Sequence, residues 1–548
     1  MERRAMGCPS QAPSRIARGR YTLRISFLEQ QAAKNALLCD MLLSPGSERA
    51  FQLPAGRTPI AVLVEAFDGQ QLALVGEQRF DPTRQVLTVP MRPAVGFGCA
   101  ETLPSGRAFH TSTTLPNGDV LLLGGLLSDA DNAALTTQAL AHRTGVLFDP
   151  RTGKLSILDG LPPRVFHQTV MLPGPANGPH RVLVLGGLTA AQPSEPVVRL
   201  RQGNPVYPFL VSPHESASAA EGFLLTVDVQ VDPPTTTVVP LSQLPRGITM
   251  QTAFDAQGKL HAVGGATEYV ASATSVSGFA AAGGVVAATL GSLNDTPTIE
   301  STVNLAELRV GHAIAPLPNG DLLVLGGVMS GASGTEHTTL LERVDASSST
   351  AQSLSPPVVP TAWHTLASLG EGKQLLWAGG MRLTPGATND YRFAVDIAAD
   401  QPALILLDAS QQTITATDVT GVGGFTRAGY HRSTMLAGQR VLLSGGNVPT
   451  TAGSAFAASD QVAVYRFDAQ RLVRELSGAG LHLDPPRFAH GTSLLIDQGV
   501  LISGGVTLED GSPRLSSNIQ FIDARTGSAA EDPFARPALT LAQSCPGN

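Results

Sequence analysis

The stretch Asn117-Gly-Asp-Val-Leu-Leu-Leu-Gly-Gly125 combines a tight turn, an apolar run and a closing pair of glycines. Asn-Gly between apolar runs is a strong hairpin signal, because its turn needs positive φ twice. The unbroken apolar run predicts a strand that is covered on both faces. The same ending occurs seven times, at Gly124-Gly125, Gly186-Gly187, Gly264-Gly265, Gly326-Gly327, Gly379-Gly380, Gly445-Gly446 and Gly504-Gly505. The first glycines are 62, 78, 62, 53, 66 and 59 residues apart, and a strand-rich repeat of this size predicts a β-propeller.

Each repeat opens on a short strand that begins with His or a substitute for it. The opening residues are His110, His167, Thr249, His312, His364, His431 and His490. Arginine stands three residues earlier at Arg107, Arg164, Arg309 and Arg487. After the Gly-Gly pair, a loop of variable length leads to a third strand with an Asp turn and then to a fourth strand. Four antiparallel strands in each repeat are what a propeller blade requires.

These motifs resemble the kelch-repeat family over roughly residues 100–535. The family's marks are the Gly-Gly pair and an aromatic-Asp-Pro-x-Thr-Gly turn, here Phe148-Asp-Pro-Arg-Thr-Gly153. The resemblance implies an all-β chain with a seven-bladed, bacterial kelch-type propeller at residues 96–540. The ring would have six blades if the weak third repeat, residues 246–308, lay outside it. The sequence departs from the family at Leu155, where Trp is expected.

The segments outside the repeats predict smaller units. Strand-like runs separated by turns predict a small β-sandwich-like domain at residues 19–95, in which residues 29–38 could instead form a short helix. We expect a flexible N-terminal segment at residues 1–18 and a C-terminal tail at residues 541–548. Ala5-Met-Gly-Cys8 resembles the end of a bacterial lipoprotein signal, although no apolar segment precedes it. A membrane tether through Cys8 and a chance match therefore both stay open.

The four cysteines are Cys8, Cys39, Cys99 and Cys545, and none belongs to a Cys-x-x-Cys motif, so we expect no zinc site. Cys99 and Cys545 flank the propeller, whose ends meet in a closed ring. This predicts a Cys99–Cys545 disulfide, with a Cys39–Cys99 bond and unpaired cysteines as the alternatives. Either bond would indicate an oxidising compartment. We therefore expect an extracytoplasmic protein, located in the periplasm, secreted, or attached to the outer membrane as a lipoprotein.

Composition excludes some partners. The net charge is −7 with only 37 Lys and Arg residues, and no basic stripe with interleaved aromatic residues is present, so nucleic acid is not expected as a ligand. No apolar run reaches the 18 residues that a transmembrane helix needs. We expect a monomer.

The repeated Arg and His residues have two interpretations. If the first strand is innermost, the guanidinium groups surround one mouth of the central channel, where they could bind carboxylate or phosphate. Their recurrence in nearly every repeat favours a structural role instead, because a single ligand would not need so many copies. We therefore expect these side chains to bond the backbone of neighbouring blades.

The long loops after two Gly-Gly pairs are the second candidate sites, because propellers place binding residues on loops held by a rigid scaffold. The candidate binding residues are Arg199, Arg201, Tyr207 and His214 in one loop and Arg382, Tyr391 and Arg392 in another. Aromatic residues together with Arg suit contact with protein or sugar. Solvated, variable loops are the competing interpretation.

Enzyme motifs are missing from the repeats. Galactose-oxidase-like copper enzymes use a kelch-type propeller with a Cys–Tyr cross-link, but no Cys lies between residues 100 and 544 here. No sialidase box, nucleophile elbow or phosphate loop is present. We expect a non-catalytic binding or scaffolding protein for a protein or glycan ligand, with no cofactor and no metal. A carbohydrate-active or oxidase-like enzyme is the alternative.

Overall fold

A computed structural model describes residues 21–127, 138–200, 211–381, 402–523 and 544–545, with short gaps inside these ranges. Regular structure there is almost entirely β-strand, and the two exceptions are three-residue 3-10 turns at Gly370–Gly372 and Thr420–Val422. No helix in these ranges is long and apolar enough to cross a membrane. The predicted all-β fold class is confirmed.

Seven four-stranded antiparallel sheets follow one another, and we number them repeat sheets 1 to 7. Sheet 1 contains Thr111–Thr114, Val120–Leu123, Gly145–Phe148 and Leu155–Leu158, and sheet 2 contains Gln168–Met171, His180–Leu185, Gly222–Asp228 and Thr235–Leu241. Sheet 3 contains Gln251–Phe254, Leu260–Val263, Val286–Gly291 and Thr298–Asn304, and sheet 4 contains Ala313–Pro316, Leu322–Leu325, Leu341–Asp345 and Thr350–Leu354. Sheet 5 contains Thr365–Leu369, Gln374–Ala378, Leu404–Asp408 and Thr415–Asp418, and sheet 6 contains Arg432–Leu436, Arg440–Ser444, Val462–Asp468 and Arg471–Leu476. Sheet 7 contains Gly491–Leu494, Gly499–Ser503, Ile519–Asp523 and, from the start of the chain, Gly96–Cys99.

The repeat sheets form a closed ring. The first strand of each sheet is innermost and lies beside the first strands of the two neighbouring sheets. The series closes because Gly491–Leu494 of sheet 7 lies next to Thr111–Thr114 of sheet 1. Sheet 7 is completed by Gly96–Cys99, which pairs with Ile519–Asp523. The chain therefore has a β-propeller fold, and a strand that precedes the first repeat completes the last one.

The apolar core lies between neighbouring sheets. In sheet 1, Leu121 and Leu123 pack against sheet 2, whereas Val120 and Leu122 pack against sheet 7. Because both faces of this strand are covered, its sequence is apolar at every position. The second strands of sheets 3, 4, 6 and 7 have the same unbroken burial, as in Leu322–Leu325, whereas Arg181 in sheet 2 and Gln374 in sheet 5 are only partly buried.

The Gly-Gly pairs join each sheet to the next. Both glycines of every pair have positive φ, and the amide of the second donates to a carbonyl at the start of the following repeat. In sheet 4, the amide of Gly327 donates to the carbonyl of Thr361 at 2.9 Å. A Cβ on Gly326 would lie only 2.1 Å from that same oxygen. Glycine is thus required both by the backbone conformation and by the close approach of the next sheet.

Short strands follow the Gly-Gly pairs on one face of the ring. Leu126–Leu127, Gln138–Ala141, Val198–Leu200 and Val211–Pro213 form one sheet, which joins the loops of repeats 1 and 2. The paired hairpin strands are Leu188–Ala190 with Ala217–Ala219, Glu268–Ala271 with Val276–Ala280, Val328–Gly331 with Gly334–His337, Asn447–Pro449 with Phe456–Ala458, and Val506–Glu509 with Ser512–Leu515.

The N-terminal segment forms a five-stranded antiparallel sheet. Its strands are, in spatial order, Lys34–Leu43, Thr22–Gln31, Ala61–Asp68, Gln71–Arg79 and Arg92–Pro93. The alternative helix at residues 29–38 is wrong, because these residues belong to two paired strands. Leu63 and its neighbour Val62 are buried on opposite faces of the sheet. The second sheet of a sandwich is not among the described residues, so the sandwich stays a prediction.

The cysteine pairing differs from the predicted one. Cys545 is bonded to Cys39, with the two Cα atoms 4.9 Å apart. The amide of Cys545 donates to the carbonyl of Asp40 at 3.0 Å, so the C-terminal segment lies along the N-terminal sheet. Cys99 instead lies in the outermost strand of sheet 7. The predicted Cys99–Cys545 and Cys39–Cys99 bonds are therefore both wrong. Cys8 lies outside the described residues.

Candidate ligand-binding site at the mouth of the central channel

Each repeat contributes one residue to a ring around the channel. This residue stands two positions before the first residue of the innermost strand. These channel-ring residues are Phe109, Phe166, Thr249, Gly311, Trp363, Tyr430 and Ala489, and all have φ between +51° and +70°. Six of their amides donate to the carbonyl of the corresponding residue in the preceding sheet, at 2.7 to 3.4 Å. Positive φ at a bulky residue costs of order 1–3 kcal/mol, so the surrounding ring must hold this conformation in place.

Four channel-ring residues are aromatic, and their side chains meet. The ring centroid of Phe109 lies 4.7 Å from that of Phe166 and 5.6 Å from that of Tyr430, and Tyr430 lies 5.3 Å from Trp363. Phe109 belongs to repeat 1 and Tyr430 to repeat 6, which are not neighbours, so the contact crosses the channel. We call these four residues the aromatic cluster. Phe109 is buried, whereas Phe166, Trp363 and Tyr430 stay partly exposed.

Glycine at position 311 makes room for the largest member of the cluster. A Cβ on Gly311 would lie 2.8 Å from Nε1 of Trp363, so the indole lies against the bare backbone of repeat 4. The amide of Trp363 donates to the carbonyl of Gly311 at 2.7 Å. Backbone and side chain of Trp363 are therefore both held by this glycine, which fixes the orientation of the indole.

The third repeat does form a four-stranded sheet, but its opening residue was predicted one position too early. Thr249 has φ of +60° and occupies the same position in the ring as Phe109 and Phe166. Met250 therefore takes the place of the opening histidine, and its amide lies beside Gly265. The side chain of Met250 is buried in the core between sheets 2 and 3.

The opening histidines bond across the sheet boundaries. Nε2 of five of the six lies near a group on the preceding sheet: His110 at 2.9 Å from Ser503 Oγ, His167 at 3.0 Å from Thr111 Oγ1, His431 at 2.9 Å from Thr365 Oγ1, His490 at 2.9 Å from Ser444 Oγ, and His312 at 3.2 Å from the carbonyl of Val263. Nε2 of His364 is buried without such a partner among the described residues. Burial lowers the pKa of His167, His312 and His364 to about 3 and that of His431 to about 4. The imidazoles are thus neutral near pH 7, as structural bonds of this kind require.

The repeated arginines act within their own sheets. Nη2 of Arg309 donates to Glu342 on the third strand of the same sheet, and both side chains are fully buried. Arg164 donates to the carbonyl of Glu221 at 2.6 Å, again within one sheet. These arginines therefore do not make the expected side-chain bonds to neighbouring blades. These arginines contribute to the bonds between sheets through their main-chain carbonyls. The carbonyl of Arg107, for example, accepts from the amide of Gly505 at 2.8 Å.

The side chains of the predicted loop candidates all lie outside the described part of the chain. These candidates are Arg199, Arg201, Tyr207, His214, Arg382, Tyr391 and Arg392. The backbone of Arg199 is described, and it pairs with Gln138 of the first repeat's loop. Among the residues that are described, no three His, Cys, Asp or Glu side chains are grouped so that they could hold a metal ion.

Comparison with known proteins gives no family assignment. No family model matches the sequence, and no curated protein matches it. Two solved structures are similar to it. "Structure of YjhT" matches with 10% identity and a TM-score of 0.37, over 76% of this chain and 95% of the other. A fungal alcohol oxidase of the AA5 family, in complex with copper, matches with 12% identity and a TM-score of 0.48, over 81% of this chain and 79% of the other. At these identities and TM-scores, neither likeness supports a conclusion about this chain.

Proposed function

We propose that this protein is a non-catalytic binding protein whose propeller presents the aromatic cluster to a protein or carbohydrate partner. The observation that carries the proposal is the meeting of Phe109, Phe166, Trp363 and Tyr430 at the channel mouth, where three of them remain partly exposed. Aromatic side chains offer large contact areas at a small cost in conformational entropy. Partly exposed rings that converge from four separate repeats are an arrangement suited to binding.

The ring of backbone hydrogen bonds supports this role. Each aromatic residue has its own amide bonded to a neighbouring repeat, so the cluster is rigid before a ligand arrives. A site that is already ordered loses little entropy on binding, which strengthens affinity. Tyr430 adds a hydroxyl group to an otherwise apolar surface, in the way that binding pockets combine apolar walls with few polar groups.

A location outside the cytoplasm is part of the proposal. The Cys39–Cys545 disulfide supports it, because disulfides persist in oxidising compartments. A tether through a lipidated Cys8 and a monomeric state remain proposals of the same kind. The alternative function, a carbohydrate-active or oxidase-like enzyme, has no observation in its favour among the described residues.

A binding screen of the full-length protein tests the proposal. Wild type is applied to a glycan array and used to capture cell-surface proteins, in parallel with the variants Trp363→Ala and Tyr430→Ala. We expect one class of partner to bind wild type and to be lost with both variants. Ile157→Ala is the matched control, because it removes an exposed apolar side chain from the outer edge of sheet 1 and should bind normally. Unchanged binding by Trp363→Ala and Tyr430→Ala would overturn the proposal.

A further inference from the structure

Arg432 is the one charged residue at the position that follows the opening residue of a repeat. In sheets 1 and 5 this position is occupied by Thr111 and Thr365, whose hydroxyls lie 3.0 and 2.9 Å from the next opening histidine. Sheet 6 has Arg432 there, and the next histidine, His490, is bonded by Ser444 instead. The structural bond of the repeat is thus made without Arg432, which leaves this guanidinium free for another role.

The guanidinium of Arg432 is anchored on one side only. Its Nε donates to the main-chain carbonyl of His490 at 2.7 Å. Within the described part of the chain, neither Nη1 nor Nη2 has an acceptor. Burial lowers the pKa of Arg432, and no acidic side chain of the described residues counters this effect. The remaining two nitrogens form the end of the guanidinium fork, which matches a carboxylate in geometry.

Other buried arginines lie in the sheets that follow Arg432 around the ring. The buried arginines of the two following sheets, Arg487 and Arg107, donate to neutral acceptors such as the carbonyls of Gly504 and Thr144. Arg309 in sheet 4 differs, because its charge is balanced by Glu342. Asp484 offsets part of the charge of Arg487, whereas burial is the cause that lowers the pKa of Arg432 and Arg107.

Arg432 also lies close to the aromatic cluster. It follows Tyr430 by two residues, which is a distance of about 7 Å along an extended chain. Tyr430 is the residue whose ring crosses the channel to Phe109. A ligand ring seated on the cluster would thus place a short substituent within reach of the guanidinium.

We infer that the ligand of the channel mouth carries a carboxylate, which the two terminal nitrogens of Arg432 bind while the aromatic cluster holds the adjoining ring. This inference rests on the proposed function of the cluster and adds the chemical class of the ligand. Arg432 determines specificity in this site: it selects an acidic ligand over a neutral one of the same shape.

The test uses benzoate and its neutral counterpart benzamide as probes of the full-length protein. Binding is followed by the fluorescence of Trp363 in a Trp377→Phe background, which leaves one tryptophan. We expect benzoate to bind at least about tenfold more tightly than benzamide, as a charge-assisted pair implies. Arg432→Gln should abolish this preference by weakening the binding of benzoate, and Arg432→Lys should retain part of it. Arg246→Gln is the control, because it removes an equal charge from an exposed position in repeat 3.

Each outcome separates the two proposals. Equal binding of benzoate and benzamide by wild type, or a preference that survives in Arg432→Gln, would overturn the inference and leave the cluster as a binding site. A stronger response to phenyl phosphate than to benzoate would overturn the assignment of a carboxylate. If Trp363 responds to none of the probes up to their solubility limits, the inference is rejected, and the binding screen with Trp363→Ala and Tyr430→Ala decides the proposed function of the cluster separately.

Discussion

The amide of Gly505 donates to the main-chain carbonyl of Arg107 at 2.8 Å, and this bond joins the last repeat to the first. The same bond links every other pair of neighbouring sheets, from the second glycine of one pair to the start of the next repeat. The carbonyl belongs to Thr361, Gly247 or Ala428 in repeats that lack the arginine. The ring is thus closed by its backbone, and the side chains at these positions are free to differ.

Gly326 should tolerate no side chain. Gly326→Ala combines positive φ with a clash against the carbonyl of Thr361, so we expect a loss of about 3 kcal/mol or more in the free energy of unfolding. Gly153→Ala is the matched control, because its φ is also positive but no atom lies within 4 Å of the added Cβ. That control should cost only about 1 kcal/mol. Equal losses in denaturant unfolding would contradict the close packing of sheets 4 and 5.

Arg309 should stabilise the fold through its buried ion pair. Arg309→Ala leaves the carboxylate of Glu342 buried without a partner, and we expect a loss of about 3–5 kcal/mol. Arg246→Ala breaks the exposed pair with Glu221 and should cost less than about 1 kcal/mol. Thermal and chemical unfolding of both variants checks this difference. A loss at Arg309 as small as that at Arg246 would show that the pair is not buried as described.

Buried histidines should make the protein sensitive to acid. The pKa of His167 is about 3 in the folded state, against an ordinary value of 6.5, so the unfolded chain binds the extra proton between these values. Stability is therefore complete above about pH 6.5 and falls as the pH drops, by up to about 1.4 kcal/mol per pH unit for each such histidine. His167→Asn should reduce the slope between about pH 5.5 and 4 by that amount. An unchanged slope would mean that His167 is not buried as a neutral group.

The C-terminal disulfide should be detectable directly. Peptide mapping under non-reducing conditions should give one linked pair that contains Cys39 and Cys545. Cys39→Ser should lower the melting temperature, because a cross-link between such distant residues stabilises by about 2–5 kcal/mol. Recovery of both cysteines as free thiols would contradict the pairing, and so would a linked peptide that joins Cys545 to Cys99.

The sequence predicts the ends of the second strands well, because the same backbone requirement recurs in every repeat. It predicts the third opening residue and the disulfide pairing less well. Gly-Gly marks the end of each second strand because positive φ and close packing admit little else. The sequence predicts the third opening at Thr249, but the positive φ of Thr249 assigns the opening position to Met250, which keeps the backbone geometry with a different side chain. The pairing of Cys545 depends on where the chain runs after the last repeat, which no local motif records.

The aromatic cluster could have been found from the repeats alone. Phe109, Phe166, Trp363 and Tyr430 each stand directly before an opening histidine, so one aligned column holds all four. The meeting of Phe109 and Tyr430 across the channel follows only from ring closure, which sequence spacing does not reveal. Arg432 was detectable as the charged exception in a column that holds threonine in two other repeats.

The emission of Trp363 tests the binding role of the channel mouth most directly. In a Trp377→Phe variant it is the single tryptophan, since the chain has only two. Addition of the partner selected in the binding screen should shift or quench this emission in proportion to occupancy. Phe166→Ala should weaken the response at equal partner concentration. Full binding of the partner with no change in the emission of Trp363 would contradict a binding site at the aromatic cluster.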